Sequence, residues 1–192
     1  MYTMSRLYTI LRSSMTSYPL MTNCLVYGSM SGMAEFSQQT LLYKVFPKKD
    51  EKQKYNGVSI LHYSVVGGCV FSPTLHYWYR WLDRVVPGVG GGAVVKKVVL
   101  DIVVFGVPYY TVFYTLLNTM AGESVETTVT ELQDKLLPTM VTTGVFWVPA
   151  QIINFRFVLP RMRIIYLAAC TFVEFNILAL FKKWDGKTSL VK

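Results

Sequence analysis

The chain has 192 residues, 52% of them hydrophobic and only 16% charged, against about 25% in ordinary soluble domains. With a mean hydropathy of +0.35, this balance argues against a typical soluble domain and predicts one compact membrane domain over residues 1–192. The net charge of +8 is scattered through short connecting segments rather than gathered on a basic helix, and no aromatic RNA-binding signature accompanies it, which argues against direct nucleic-acid binding.

Residues 1–17 carry Arg6 and Arg12, many hydroxyl side chains, and no acid before Glu35. Such a stretch resembles an organellar targeting segment, retained or cleaved. Because Leu7, Ile10, Leu11 and Ser14 fall on one side, an amphipathic surface helix explains it equally well. Pro19 opens the first apolar span, 20–43, which only Glu35, Gln38 and Gln39 interrupt near its far end. A basic loop follows. The second span, 57–82, passes Gly67, Gly68 and Cys69 and ends in His76-Tyr77-Trp78-Tyr79-Arg80-Trp81, an aromatic block of the kind found where a helix meets the headgroups. Residues 83–92 read as a loop.

The third span, 98–120, has Asp101 near one end, with Gly106 and Pro108 inside it. Gly122 to Lys135 reads as an acidic connection. Residues 137–158 contain Pro138, Pro149, Gln151, Asn154 and Arg156, and the stretch from Pro149 to Val158 makes only about 15 Å of helix, half a hydrocarbon core. A partial or kinked span is expected there. The last apolar run is 164–181. The fold class is therefore all-α: an integral membrane bundle of four or five embedded helices plus an N-terminal amphipathic helix. Lysines and arginines divide almost evenly between alternate sides, so orientation stays open.

Gly28 and Gly32 form a GxxxG pair in the first span, where two helix backbones can approach closely. Glu35 and Gln39 stand at i and i+4, while Asp101 and Glu174 are acids in or near other spans. Ionisable groups at such depth face a wet pathway or pair across helices. The pairing reading joins Glu35 or Asp101 to Arg80, Lys96 or Lys97. Trp147, Gln151, Asn154 and Val158 share one helical face, so two amides need a partner on another helix or in a polar cavity. Together Glu35, Gln39, Asp101, Gln151 and Asn154 are the candidate polar lining or interhelix contacts.

Cys24, Cys69 and Cys170 fall in apolar stretches without metal-ligand spacing and read as buried small hydrophobes. His62 and His76 have no ligand array around them, so metal binding is not expected and hydrogen bonding between helices or at the membrane boundary is. Gly88-Val89-Gly90-Gly91-Gly92 lacks the strand and the terminal GK[ST] of a phosphate-binding loop. No catalytic arrangement stands out, and neither an enzyme nor a cofactor is expected.

Four groups of residues in order resemble the Mpv-seventeen family, which includes the twenty-two-kilodalton peroxisomal membrane protein. The first runs from Pro19 and Gly28-Ser29 through Gly32, Glu35 and Gln39. The second is Gly67, Pro73, His76, Trp78, Tyr79, Leu82 and Asp83. Lys97 and Asp101 form the third. The last and most specific is Trp147, Gln151, Asn154, Phe155, Val158, Pro160 and Arg163. The wording around His76 and Asp83 is especially similar to a mitochondrial Mpv-like branch with members tied to mitochondrial ribosome assembly. Ile102 replaces a glutamine of the family pattern, Val148 replaces a proline, and residues 174–179 lack its final tryptophan and tyrosine.

The resemblance implies a small integral protein of the mitochondrial inner membrane or, alternatively, the peroxisomal membrane, with a pore-like or solute-permeability role and no cofactor. The alternative role is an accessory or scaffold subunit docked on a larger inner-membrane assembly, such as a respiratory complex, ATP synthase or a membrane-tethered ribosome. Expected partners are membrane lipids, including anionic headgroups, and such an assembly.

Overall fold

A computed structural model describes residues 13–45 and 54–184. The protein is an all-α membrane protein, with no strand among the described residues. After a helical stretch at residues 13–17 come α1 (Pro19–Thr40, continued by wide turns over Leu41–Val45), α2 (Gly57–Val85), α3 (Gly91–Ala121), α4 (Val125–Phe157) and α5 (Arg163–Trp184). Helices α2, α3 and α4 are each long and apolar enough to cross a membrane. The rest of the N-terminal segment expected over 1–17 lies outside the described residues.

Local chemistry sets the helix ends. Asn56 caps α2 by accepting from the Ser59 N–H at 3.0 Å, and Ser124 caps α4 by accepting from the Thr127 N–H at 3.1 Å. Gly122 closes α3 at φ +78°, where a side chain would be strained, with the Glu123 N–H returning to the Asn118 carbonyl at 2.9 Å.

Three boundaries differ from the sequence reading. The acidic stretch after Gly122 is helical from Val125, so α4 is one helix of 33 residues rather than a connection followed by a partial span. At 1.5 Å per residue it is about 50 Å long, so its acidic first turns extend beyond the hydrocarbon core. Pro138 and Pro149 lie within it without ending it, as bilayer helices tolerate when nearby groups take up the freed carbonyls. In the expected loop 83–92, α2 continues to Val85 and α3 already begins at Gly91.

Helices α2 and α3 each contain a wide turn, Val66–Phe71 and Leu100–Phe105, closed by a Ser72 N–H to Gly67 carbonyl bond and a Gly106 N–H to Asp101 carbonyl bond. Pro73 and Pro108 lie two and three residues beyond these turns, so the carbonyl four residues before each proline falls inside the turn. A proline ring clashes with the carbonyl four residues back and supplies no N–H, and widening the preceding turn relieves both problems.

The chain divides into two compact units, Met1–Tyr77 with Arg161–Lys192, and Trp78–Pro160. In the first, α1 packs on α5 and on the first half of α2. Tyr27 Oη lies 3.3 Å from Thr171 Oγ1, Ser37 Oγ donates to Asn176 Oδ1 at 2.6 Å, and the rings of Tyr63 and Phe175 meet edge to face. Gly28 and Gly32 face α2: a Cβ on Gly28 would sit 2.8 Å from the Ser64 carbonyl and 3.1 Å from Gly68 Cα, and one on Gly32 would sit 2.0 Å from Ser64 Oγ. The glycine pair therefore packs two helices of one chain.

In the second unit, α3 and α4 form an antiparallel hairpin, and the last turns of α2 add Tyr79 and Leu82 to a buried set with Val94, Val98, Ala150 and Phe155.

Candidate functional site

The buried polar groups of the second unit converge around Asp101, which the wide turn Leu100–Phe105 carries. Its Oδ1 accepts from Trp78 Nε1 at 2.7 Å and its Oδ2 from Gln151 Nε2 at 2.7 Å. Gln151 Nε2 also donates to Tyr79 Oη at 3.0 Å, and Gln151 Oε1 accepts from Asn154 Nδ2 at 2.8 Å. Asp101, Gln151 and Asn154 are all buried, whereas Trp147, on the same α4 face, is half-buried against the Phe146 ring. The Trp78 indole is fixed by stacking on Trp81 and Phe105, with centroids 5.0 and 4.9 Å away. Asn154 Oδ1 has no hydrogen-bond partner although the residue is fully buried, and such an orphaned acceptor is costly in a low-dielectric interior.

Lys97 lies one helical turn from Asp101 yet does not pair with it. Its Nζ donates to Asp83 Oδ1 at 2.6 Å and to the Gly88 carbonyl at 3.0 Å, and it sits 5.9 Å from the centre of the Phe155 ring. Arg156 donates to the neighbouring Val89 carbonyl. These two cations tie the 86–90 loop to the ends of α3 and α4. Asp101 is thus held by neutral donors, not by the cations the pairing reading assigned to it.

Glu35 and Gln39 form a separate cluster in the first unit. Glu35 Oε1 accepts from Gln39 Nε2 and Ser59 Oγ, each at 2.8 Å. Gln39 Oε1 accepts from the Asn56 N–H at 2.8 Å, while its Nε2 donates to the Asn56 carbonyl at 3.2 Å. The two side chains clamp the start of α2. The five residues grouped as one lining are therefore two networks, one in each unit.

His76 Nδ1 lies 3.4 Å from Asn23 Nδ2. Pro160 opens the short turn into α5, where Arg163 is buried at 2% exposure. Cys69 is exposed, and Cys24 and Cys170 are half-buried, so the cysteines are not the buried hydrophobes expected; in a lipid-facing helix an exposed thiol is still in apolar surroundings. Among the described residues no group of three His, Cys, Asp or Glu side chains is placed to hold a metal.

The sequence reading missed a polar ladder along the α3–α4 hairpin. Tyr110 Oη pairs with Thr143 Oγ1 at 2.8 Å, Tyr114 Oη with Thr139 Oγ1 at 2.8 Å, and Asn118 Nδ2 donates to Glu131 Oε2 at 2.6 Å, with Lys135 Nζ on Glu131 Oε1 at 2.5 Å. Tyr110, Tyr114 and Asn118 recur every four residues, and so do Thr139 and Thr143, which is the signal that was available. Thr143→Val should destabilise the protein in detergent by about 0.6–1 kcal/mol, the range for one hydroxyl bond between bilayer helices. Thermal unfolding of this variant beside Thr142→Val, on an exposed position, measures it.

The profile of the Mpv17 / PMP22 family matches residues 118–178. The chain is 30% identical over 164 residues to "PXMP2/4 family protein 2" of Dictyostelium discoideum, covering 85% of this chain and 84% of that one. It is 26% identical to "Mitochondrial inner membrane protein Mpv17" of Xenopus laevis, over 81% of this chain and 85% of that one. It is 24% identical to "Peroxisomal membrane protein 2" of Bos taurus, over 85% and 79%. No solved structure matches the chain.

Proposed function

Because this chain belongs to the Mpv17 / PMP22 family, we propose that it is a solute-permeability protein whose polar pathway is closed by the network around Asp101. Its membrane is the mitochondrial inner membrane, the one named for the Xenopus relative; the peroxisomal membrane of the bovine relative is the alternative.

The observation that supports this role is a carboxylate buried within a spanning helix and met by an indole and an amide rather than by a cation. A carboxylate at that depth is costly, and a purely structural ion pair was within reach through Lys97. Gln39 and Glu35 clamp the start of α2, so the pathway reading rests on Asp101, Gln151 and Asn154. The group is dominated by acceptor oxygens, the Asp101 carboxylate and the orphaned Asn154 Oδ1, so an opened pathway past them would favour cations and neutral hydrogen-bond donors over anions.

Reconstituted in liposomes, the protein should release small neutral solutes and conduct cations in planar bilayers. Asp101→Asn should reduce the preference for cations over anions while leaving helix content unchanged. Permeability no higher than that of empty liposomes overturns the role, and an unchanged ion preference in Asp101→Asn overturns the assignment of the network.

The same network supports a second reading, since all its polar atoms except Asn154 Oδ1 are bonded within the unit, as a static core requires. In that case the chain is an accessory subunit of a larger inner-membrane assembly. It would then comigrate with that assembly on a native gel of gently solubilised mitochondria, and liposomes of the purified protein would be impermeable.

A further inference from the structure

The two ends of the second unit carry opposite charge. At the end where α2 finishes, α3 starts and α4 finishes lie Arg80, Arg84, Lys96, Lys97 and Arg156, against the carboxylate of Asp83, which Lys97 already occupies at 2.6 Å. At the other end, around the turn between α3 and α4, Glu123, Glu126, Glu131 and Asp134 stand against Lys135. The common location of the basic residues is set by contacts: Lys97 reaches Asp83 on α2 and the Gly88 carbonyl, and Arg156 of α4 reaches the Val89 carbonyl.

Arg80, Arg84, Lys96 and Arg156 are exposed, and neither Arg84 nor Lys96 has an ion-pair or hydrogen-bond partner among the described residues. Beside them the surface turns apolar. Trp81 is 45% exposed on α2, and Val95, Val99 and Val103 follow one another at four-residue steps on α3 with 61%, 53% and 59% exposure. A cationic collar over an apolar helix face, with an indole at the boundary, matches a phospholipid in both parts: phosphate against the arginines and lysine, acyl chain along the valines.

We propose that this collar of Arg80, Arg84, Lys96 and Arg156 is a docking surface for the phosphodiester headgroup of an anionic membrane lipid. The occupant is lipid rather than a soluble anion because the charge sits at the ends of spanning helices, where headgroups lie, and because the adjoining face is apolar. Arginine suits the phosphate by its planar fork of donors, and lysine as a point charge. The proposal does not depend on whether the protein is permeable to solutes.

Full-length protein in phosphatidylcholine nanodiscs with and without cardiolipin, released into native mass spectrometry, tests it. Cardiolipin should be retained in preference to phosphatidylcholine, and less of it as salt rises. Arg84→Gln combined with Lys96→Gln should reduce retention more than tenfold, since each charge removed near a headgroup weakens attraction about fivefold. Neither side chain makes a contact that holds the fold, so this variant remains folded, as circular dichroism would verify. The charge-keeping pair Arg84→Lys and Lys96→Arg should retain the lipid, as should Glu126→Gln at the acidic end. Equal retention of phosphatidylcholine, or unchanged retention in the double glutamine variant, overturns the proposal. Displacement of the lipid by inorganic phosphate beyond that caused by chloride at equal ionic strength also overturns it, reassigning the surface to a free anion.

Discussion

Replacing Asp83 with alanine is expected to lower the unfolding free energy in mild detergent by about 3 kcal/mol, the low end of the range for breaking a buried ion pair from one side. The partner left behind is the reason. Lys97 is 2% exposed at its side chain and gives its ammonium to Asp83 and the Gly88 carbonyl, so without the carboxylate a buried charge keeps one neutral acceptor. Asp83 is 29% exposed at its side chain, which lets some water replace it and places the loss at the low end. Lys97→Met alone should cost less, because the stranded carboxylate is the more solvated partner. The double variant should recover part of the Asp83→Ala loss, since a flexible apolar side chain fits against Phe155 without a charge to satisfy. Tryptophan fluorescence during denaturant unfolding of the four proteins gives the coupling energy. A double variant no more stable than Asp83→Ala refutes the stranded-charge explanation.

The second large effect concerns the glycines, for which the contacts predict three different outcomes from one substitution. In Gly28→Ala the new Cβ meets the Ser64 carbonyl at 2.8 Å and Gly68 Cα at 3.1 Å. Both are backbone atoms, so α1 and α2 must move apart. Overpacking of this kind costs about 1–3 kcal/mol and outweighs the gain of up to about 1 kcal/mol from replacing glycine in a helix. In Gly32→Ala the obstacle at 2.0 Å is Ser64 Oγ, a hydroxyl that rotates away at the loss of its 2.9 Å bond to the Ile60 carbonyl. Cost and gain then nearly cancel. A methyl group on Gly144 of α4 would meet no atom within 4 Å, so Gly144→Ala should be neutral or stabilising. The expected order of melting temperature in detergent is Gly144→Ala, then wild type with Gly32→Ala, then Gly28→Ala. If Gly28→Ala melts with or above wild type, the close approach of α1 and α2 is not carried at that glycine.

Much of the architecture is legible in the chain because it follows from local rules. Apolar runs of spanning length, Pro19 at the start of α1 and the glycine pair all act through their own neighbourhoods. The start of α4 is also marked, by Gly122, Ser124 and Glu126, the stop, cap and first-turn acid of two successive helices. It reads as a connection only when acidic residues are weighed by charge alone, although a helix longer than the bilayer carries its charged turns outside the hydrocarbon.

The candidate site divides along the same line. That Asp101, Gln151 and Asn154 need polar partners follows from the residues alone, because carboxylates and amides cannot be left unsatisfied in an apolar medium, and their spacing places both amides on one face of α4. The choice of partners comes from how the helices pack. Lys97 is one turn from Asp101 along the chain, and it was one of three cations, with Arg80 and Lys96, that the pairing reading offered to Glu35 or Asp101. The return of α2 and the loop after it bring Asp83 and the Gly88 carbonyl to Lys97 instead, leaving Asp101 to Trp78 and Gln151. The clamp of Glu35 and Gln39 on the start of α2, the tyrosine–threonine ladder and the gathering of arginines and lysines at one end of the second unit arise in the same way. Each depends on which helices lie side by side, and helical periodicity fixes the face of a residue but not the neighbour that face will meet.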